Sequence, residues 1–429
     1  MKSRLSAFIK NTLLLLLASL SAISCTSTIR AYKSKEMPED PAIFLYERNI
    51  PFFSSSKPAV YFSSSEWMKK ALEIIGNARK SILITTFLGS YCDYTAPIYD
   101  ALVQKAKEGL QVYVIIDSSS YEQYDYGKKN ALPMAIDRLK GTGVHVAEYN
   151  PISGERIFIA PALLDREHRK YWIIDGTYVA TGGINLNYLS FAPYGLDGQI
   201  DTFVCSKSAG AASYLIASFC KTWNGYSPRR ISPDGFIATA ENPQDSQTIP
   251  LWIVDQGLKD RGEVDKLFDT FFACAKKEIW MIQGLAYTSP SLIEKIRFAK
   301  TRGVDVKIMI SENSDREANE IAAKYCIKDM IDAGANVYIY DSPDKGFLHY
   351  KLLLADRRLV AFGSANFNFR SQKLSREISF IYNDEEIGSM AYGNLANLLK
   401  NARKIEREEA ERYRSLKYSL IHAFMLFGG

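Results

Sequence analysis

A tandem repeat is the feature that most constrains how this chain can fold. The stretches EHRKYWIIDGTYVATGGIN (167–185) and FLHYKLLLADRRLVAFGSAN (347–366) carry the same polar residues at the same spacing. Four residues of the first stretch lie 181 positions before their counterparts: His168, Lys170, Asp175 and Asn185 match His349, Lys351, Asp356 and Asn366. Two of the chain's four histidines therefore occupy equivalent positions. We interpret the repeated residues as a functional site rather than as two buried structural histidines.

The repeat extends well beyond these stretches. Each half opens with a Pro-led strand, PAVYFSS (58–64) or PLWIVDQ (250–256), and continues with amphipathic helices alternating with apolar strands. Alternation of this kind predicts an α/β fold with a mixed sheet covered by helices, built twice in tandem. A composition of 47% apolar and 24% charged residues is typical of a globular protein.

The pattern divides the chain into six segments, with a linker rich in Pro, Ser, Asp and Asn between the halves. The apolar end of the last segment is expected to dock on the protein, with a membrane contact as the alternative. The predicted segments are a signal peptide or lipoprotein signal (1–25), an irregular N-terminal lead (26–57), the first domain (58–228), the linker (229–249), the second domain (250–384) and a C-terminal helical tail (385–429).

The first 25 residues predict export. A basic start precedes an apolar run from Leu13 to Ile23 and small residues before Cys25. Cys25 is a candidate for lipidation, and plain cleavage or an uncleaved anchor are the alternatives. We therefore expect a cell-envelope protein, membrane-associated or secreted. The other five cysteines form no C-x-x-C pair, so we interpret them as apolar fillers, with a disulfide left open.

Within each repeat the polar residues converge. Side chains alternate along a strand, so the His and the Lys two residues later point the same way. The strand then turns at Asp175 or Asp356, which we expect to hold the motif through hydrogen bonds. The returning strand ends in small residues whose backbone amides can approach an anion. The predicted phosphate-binding residues are Lys170, Lys351, Asn185, Asn366, Ser364 and Gly183.

The two histidines can take different chemical roles in cleaving a phosphodiester. One neutral imidazole attacks phosphorus to form a phosphohistidine, and the other donates a proton to the leaving oxygen and later activates the acceptor. Lysine is not a metal ligand, so we expect neither a metal nor another cofactor. Glu377 and Asp201 each open a strand shortly after a motif and are candidate orienters of the histidines, with surface acids at strand starts as the alternative.

The paired stretches HRKYWIID…GGIN and LHYKLLLAD…GSAN resemble the motifs of the phospholipase D superfamily, and their flanks resemble its bacterial cardiolipin synthase branch. The resemblance covers roughly residues 55–385. It implies two phospholipase D-type domains related by a pseudo-twofold axis, one active site at their interface and a metal-independent phosphohistidine mechanism with His168 as nucleophile and His349 as general acid and base. The chain departs from that branch in having one signal-like segment instead of two spanning helices, and in reading DGQID at Asp201 without the usual Trp.

These observations favour an exported phosphodiesterase that acts on phospholipids at a membrane surface, by hydrolysis or by phosphatidyl transfer. A secreted nuclease of the same superfamily is the alternative, although no basic stripe interleaved with aromatics supports nucleic acid as a partner. A catalytically silent envelope protein that binds anionic head groups is a third hypothesis, which the intact His, Lys and Asn residues of both motifs argue against.

Overall fold

The computed structural model of the protein describes residues 40–120, 135–151, 165–193, 195, 198–238, 248–257 and 260–428. The elements up to the end of the first half are α1 (Pro41–Glu47), β1 (Phe52–Ser56), β2 (Ala59–Tyr61), α2 (Ser64–Asn77), β3 (Ser81–Thr86), α3 (Ala96–Lys107), β4 (Gln111–Asp117), α4 (Ala135–Leu139), β5 (His145–Tyr149), β6 (Tyr171–Ile174), β7 (Tyr178–Gly182), α5 (Tyr188–Phe191), β8 (Gln199–Ile200), β9 (Phe203–Lys207) and α6 (Ala209–Tyr226).

After a 3-10 turn at Pro233–Gly235, the second half repeats this plan. Its elements are β10 (Thr248–Gln256), α7 (Glu263–Cys274), β11 (Glu278–Gln283), α8 (Pro290–Thr301), β12 (Asp305–Ser311), α9 (Glu317–Asp332), β13 (Asn336–Tyr340), β14 (Phe347–Leu348), β15 (Lys351–Ala355), β16 (Leu359–Gly363), α10 (Phe369–Lys373), β17 (Glu377–Asn383), α11 (Glu385–Leu399), β18 (Ala402–Lys404), α12 (Arg407–Glu411) and α13 (Leu416–Gly428).

Each half builds one mixed sheet. The first has seven strands in the order β2-β9-β7-β6-β3-β4-β5, and the second has nine in the order β1-β10-β17-β16-β15-β11-β12-β13-β18. In both, three parallel strands (β3-β4-β5 or β11-β12-β13) join the antiparallel motif hairpin. The expected α/β architecture, built twice, is confirmed.

The sheets enclose a shared core. Neighbouring residues of β3 point to opposite faces: Leu83 belongs to a cluster that also contains Ile282 of β11, whereas Ile84 packs with Trp67 of α2. Helices α6 and α11 contribute to the shared cluster, while α7, α8 and α9 cover the outer face of the second sheet. Burial on both faces explains why the central strands are almost continuously apolar.

A side-chain cap fixes the start of α2, which begins at Ser64, inside the stretch 58–64 that the sequence predicted as a strand. The hydroxyl of Ser63 accepts a hydrogen bond from the backbone N of Glu66 at 3.2 Å, and the Glu66 carboxylate accepts one from the backbone N of Phe62 at 3.0 Å. These two bonds satisfy the amide of Glu66 in the first turn of α2 and the amide of Phe62 just before the N-cap.

The structure differs from the sequence prediction in the N-terminal lead and in the C-terminal tail. The predicted lead contains α1 and β1, and β1 pairs antiparallel with β10 as an edge of the second sheet. The predicted helical tail is not one helix, because β18 interrupts it and pairs with β13. The predicted signal segment and Cys25 lie outside the described residues, and no described helix is long and apolar enough to cross a bilayer.

Candidate active site

Both motif hairpins use the same turn. Asp175 and Gly176 have φ values of +53° and +66°, and Asp356 and Arg357 have values of +52° and +56°. Positive φ at both central residues is the geometry of a type I′ turn, which matches the twist of the strands. Asp356-Arg357 lacks the glycine that favours this turn, yet it forms the same hairpin as Asp175-Gly176.

The turn aspartates fasten each hairpin to the preceding helix–strand connection. The carboxylate of Asp175 accepts backbone hydrogen bonds at 2.7–3.0 Å, and that of Asp356 does so at 2.7–2.9 Å. The donors are the amides of Arg79, Lys80 and Ser81 for the first turn and of Lys276, Lys277 and Glu278 for the second. Three amides on one carboxylate fix where the His-x-Lys strand ends relative to the sheet.

The imidazoles pair with carboxylates from the opposite half. His168 Nδ1 lies 2.9 Å from Glu377 Oε2, and His349 Nδ1 lies 2.6 Å from Asp201 Oδ2. The sequence singled out both acids without indicating that the pairs cross. In each pair the carboxylate fixes which ring nitrogen faces away from it, toward the space between the motifs.

Backbone contacts between the halves impose this crossing. The amide of His349 donates to the carbonyl of Ile200 at 2.8 Å, where β14 pairs with β8. Reciprocally, the amide of Arg376 donates to the carbonyl of Arg166 at 2.9 Å, beside an isolated bridge between Glu167 and Arg376. The residue before each carboxylate is thus tied to the chain next to the opposite histidine.

Small residues position the two carboxylates. The hydroxyl of Ser364 donates to Glu377 Oε2, and that of Ser371 donates to Glu377 Oε1 at 2.7 Å. On the other side, a Cβ at Gly183 would lie 2.2 Å from Asp201 Oδ2, so only glycine admits this carboxylate. Ser364 and Gly183, predicted to bind phosphate, instead lie against the carboxylates. Their backbone amides donate to the carbonyls of Ile378 and Thr202 at 2.8 and 3.0 Å, so these amides are not available to an anion.

The motif lysines are buried beside the histidines. Lys170 Nζ donates to the carbonyl of His168 at 2.6 Å. Lys351 Nζ donates to the carbonyl of His349 and lies 3.6 Å from Asp201 Oδ2. Burial lowers the pKa of Lys170 to about 7 and that of Lys351 to about 8.

Burial is also the main cause of the pKa shifts of Glu377, His168 and His349. Burial raises the pKa of Glu377 to about 7. Burial, followed by the positive charges of Lys170 and Lys351, lowers the pKa of His168 well below its usual value. Burial is also the main cause that lowers the pKa of His349, against the opposing effect of Asp201. An unprotonated His168 is the form that can act as a nucleophile.

The motif asparagines differ between the halves. Asn185 Oδ1 accepts from the backbone N of Leu88 at 3.2 Å, which turns its amide nitrogen away from that contact. Asn366 Oδ1 is buried and has no hydrogen-bond partner among the described residues. The sequence predicted equal roles for the two asparagines, and these roles stay predictions.

Comparison with known proteins identifies the family. The profile described as "Cardiolipin synthase, PLD-like domain" matches residues 71–223 and 270–397, most of both halves. The chain belongs to the phospholipase D superfamily. Within it, the chain is 26% identical to a cardiolipin synthase of Halalkalibacterium halodurans over 80% of this chain and 66% of the relative. It is 29% identical to a cardiolipin synthase of Clostridium perfringens over 77% and 68% of the two chains.

A solved structure has the same fold as this chain. The crystal structure of phosphatidylserine synthase from Haemophilus influenzae superimposes with a TM-score of 0.66 at 14% identity, over 90% of this chain and 96% of that one. At this identity the likeness concerns the fold alone. The chain spans about two thirds of the length of the curated relatives it matches first.

Sequence reasoning missed a buried charge cluster beside the first phospholipase D motif. Arg169 bonds Glu167 at 2.6 Å and Asp255 of β10 at 2.7 Å, while Arg376 lies 3.2 Å from Glu167. The cluster therefore joins the two halves through charges from both. Arg169 stood in the sequence as one more surface-like charge, although its position between His168 and Lys170 on a buried strand was a signal.

Sequence reasoning also missed an aromatic contact. The ring of Phe87 lies edge-on to His168 with centroids 4.8 Å apart, and Lys170 Nζ lies 5.1 Å from the centroid of the Phe87 ring. Phe87 follows β3 directly, so the sequence showed it only as the end of an apolar strand.

Within the described ranges, no three His, Cys, Asp or Glu side chains gather as a metal site would require.

Proposed function

We propose that this protein is a phospholipid phosphodiesterase of the phospholipase D type, transferring a phosphatidyl group to an alcohol or to water without a metal ion. The observation that carries the proposal is the crossed pairing of His168 with Glu377 and of His349 with Asp201 around two buried lysines. Two oriented imidazoles and two cations form a site for a monoanionic phosphodiester and the five-coordinate transition state of its reaction.

The first step forms a P–N bond and breaks a P–O bond. His168 Nε2 attacks phosphorus, and the Nδ1–H of the same ring donates to Glu377, which stabilises the developing positive charge. His349, protonated on Nε2 and held by Asp201, donates its proton to the departing alkoxide. The lysines and the motif asparagines bind the non-bridging oxygens throughout.

The second step reverses these roles. His349, now neutral, takes a proton from an incoming water or alcohol, whose oxygen attacks phosphorus while the bond to His168 breaks. Water yields hydrolysis and an alcohol yields transfer, since both compete for the same phosphohistidine. The names of the relatives, cardiolipin synthases, support a phosphatidyl acceptor such as phosphatidylglycerol. Export to the cell envelope is part of the proposal and rests on the first 25 residues of the sequence.

The deciding experiment incubates purified protein in EDTA with labelled phosphatidylglycerol vesicles and, separately, with single- and double-stranded DNA. We expect cardiolipin or phosphatidic acid from the vesicles, undiminished by EDTA, and no product from the His168→Asn variant. Nicked DNA without lipid turnover would replace the lipid substrate with a nucleic acid. Activity lost in EDTA and restored by one divalent ion would refute the metal-independent mechanism.

A further inference from the structure

Helix α13 presents an exposed apolar row. Leu416, Leu420 and Phe424 are 76%, 64% and 73% exposed. A spacing of four residues places them on one face of the helix, in a line about 12 Å long. Large apolar side chains rarely align in solvent without a partner.

The rest of the helix is held by the protein. On the opposite face Met425 is buried in the core of the second half, and Ile421 packs against that core. The helix contacts α9 and also α10, the short helix whose Ser371 donates to Glu377 of the site. The sequence predicted that this segment docks on the protein, and one face of the helix does so. The apolar row lies on the face that remains exposed.

The charged residues of the helix segment itself are basic, and two acidic residues of α9, Glu317 and Asp329, lie beside them. Residues 412–429 contain three basic residues and no acidic one. Arg412 and Lys417 are exposed, whereas Arg414 pairs with Asp329. Lys417 lies three residues before Leu420 and therefore borders the row, with Glu317 at 3.3 Å as its exposed partner.

We propose that the apolar row of α13 is the surface by which the enzyme rests on an anionic phospholipid bilayer. A docked helix with a narrow apolar face and exposed basic residues at one end, here Arg412 and Lys417, suits the plane of a membrane interface, with apolar side chains among the acyl chains and cations near the head groups. The inference rests on the proposed lipid substrate, and contact with α10 links this surface to the site.

The first test reads the row itself, in the full chain. An environment-sensitive dye is attached to Leu420→Cys, and the unmodified protein is labelled in parallel to subtract dye on the native cysteines. Vesicles of phosphatidylglycerol should shift the emission to the blue, and Leu416→Gln with Phe424→Gln should abolish the shift. A dye at Phe52→Cys, on another exposed apolar residue, should not respond.

The second test compares matched triple variants. Replacing Leu416, Leu420 and Phe424 with Gln should lower turnover of vesicle phosphatidylglycerol about tenfold or more at limiting lipid, because three apolar side chains no longer enter the bilayer. Turnover of a soluble short-chain substrate should not change. Gln at Ile43, Tyr46 and Phe52, which are 52%, 74% and 61% exposed, is the matched control and should leave both activities intact.

The outcomes separate this surface from the proposed function. No dye shift, together with normal turnover of the short-chain lipid, would refute the membrane surface and leave the function standing. A dye shift without turnover of any lipid would refute the function alone. A shift that grows with protein concentration in the absence of vesicles, with a change of mass in light scattering, would assign the row to a second copy of the chain.

Discussion

The two motif lysines are buried cations whose counter-charges are only partly supplied by the protein. Lys351 lies 3.6 Å from Asp201, and both lysines donate to main-chain carbonyls of the motif histidines. A phosphodiester placed between the motifs would supply the missing negative charge. In the proposed mechanism the lysines therefore stabilise the charge of the bound phosphodiester, as point charges rather than as a rigid fork.

Replacement of Lys170 or Lys351 by Met should lower the turnover of phosphatidylglycerol by about 10²-fold or more, because each keeps its chain length but loses its charge on the transition state. Lys69→Met, on an exposed helix position, is the control and should be silent. Thermal unfolding checks that the variants fold. Near-normal rates in both folded variants would make the lysines structural.

The protein should take up protons when an anion binds between the motifs. At pH 8 the pKa values of about 7 and about 8 leave Lys170 largely and Lys351 partly deprotonated. An anion raises both pKa values, and those of His168 and Glu377 also, so every change has the same sign. Calorimetry of orthovanadate binding in two buffers of different ionisation enthalpy should give different heats at pH 8. Equal heats would contradict the lowered lysine pKa values.

The same shift has a consequence for stability. Below about pH 7 the folded and unfolded states both hold the lysine protons, and the folded state carries the full penalty of burying the charges. Between pH 7 and the unfolded value of about 10.4, the unfolded state binds more protons, so this contribution to the free energy of unfolding rises with pH. Bound anion should remove the dependence.

At the scale of elements, the motif hairpins are fixed by their turns. Asp175→Ala and Asp356→Ala each remove one acceptor from three backbone amides, which should lower the free energy of unfolding by on the order of 2 kcal/mol. Calorimetry should show the lower transition temperature, and the rate per folded molecule should change far less than in the lysine variants. A loss of rate with an unchanged transition temperature would place these aspartates in the chemistry.

The hairpins and the alternating elements could be predicted because their signals are local. Asp175-Gly176 lies between two apolar runs, and the repeat doubled each signal. The pairing of β1 with β10 could not be predicted, since their residues are about 200 positions apart and short polar strands such as FFSSS carry little periodicity. The same holds for the crossed carboxylates: sequence identified Glu377 and Asp201 as acids at strand starts, but the partner of each lies in the other half.

For the whole molecule, the crossed pairs mean that each proposed catalytic histidine depends on a carboxylate from the other half. The charge cluster of Arg169, Asp255, Glu167 and Arg376 holds the same interface with buried ions from both halves. Removing one partner of such a cluster leaves an unpaired buried charge, which is strongly destabilising. In the proposed mechanism the interface is part of the active site, because each histidine and its carboxylate come from different halves. Variants of these four groups should therefore fall into two classes.

The last prediction concerns these classes and uses a p-nitrophenyl phosphodiester, whose leaving group departs without a proton. His349→Asn removes the acid and base, so the first step survives and the second lacks its base. This variant should release about one nitrophenolate per site in a burst and then stall with an adduct on His168. Because Asp201 holds His349, Asp201→Asn should show the same burst followed by slow turnover.

His168→Asn should show neither burst nor adduct, and Glu377→Gln should slow the burst by about 10²-fold or more, since it no longer stabilises the charge that develops on His168. Mass spectrometry of quenched protein identifies the modified residue. If the carboxylates served the histidine of their own half, Glu377→Gln would burst and stall like His349→Asn, and Asp201→Asn would lose its burst. That reversal would contradict the crossed pairing, and an adduct on His349 in the His168 variant would instead exchange the roles of the two histidines.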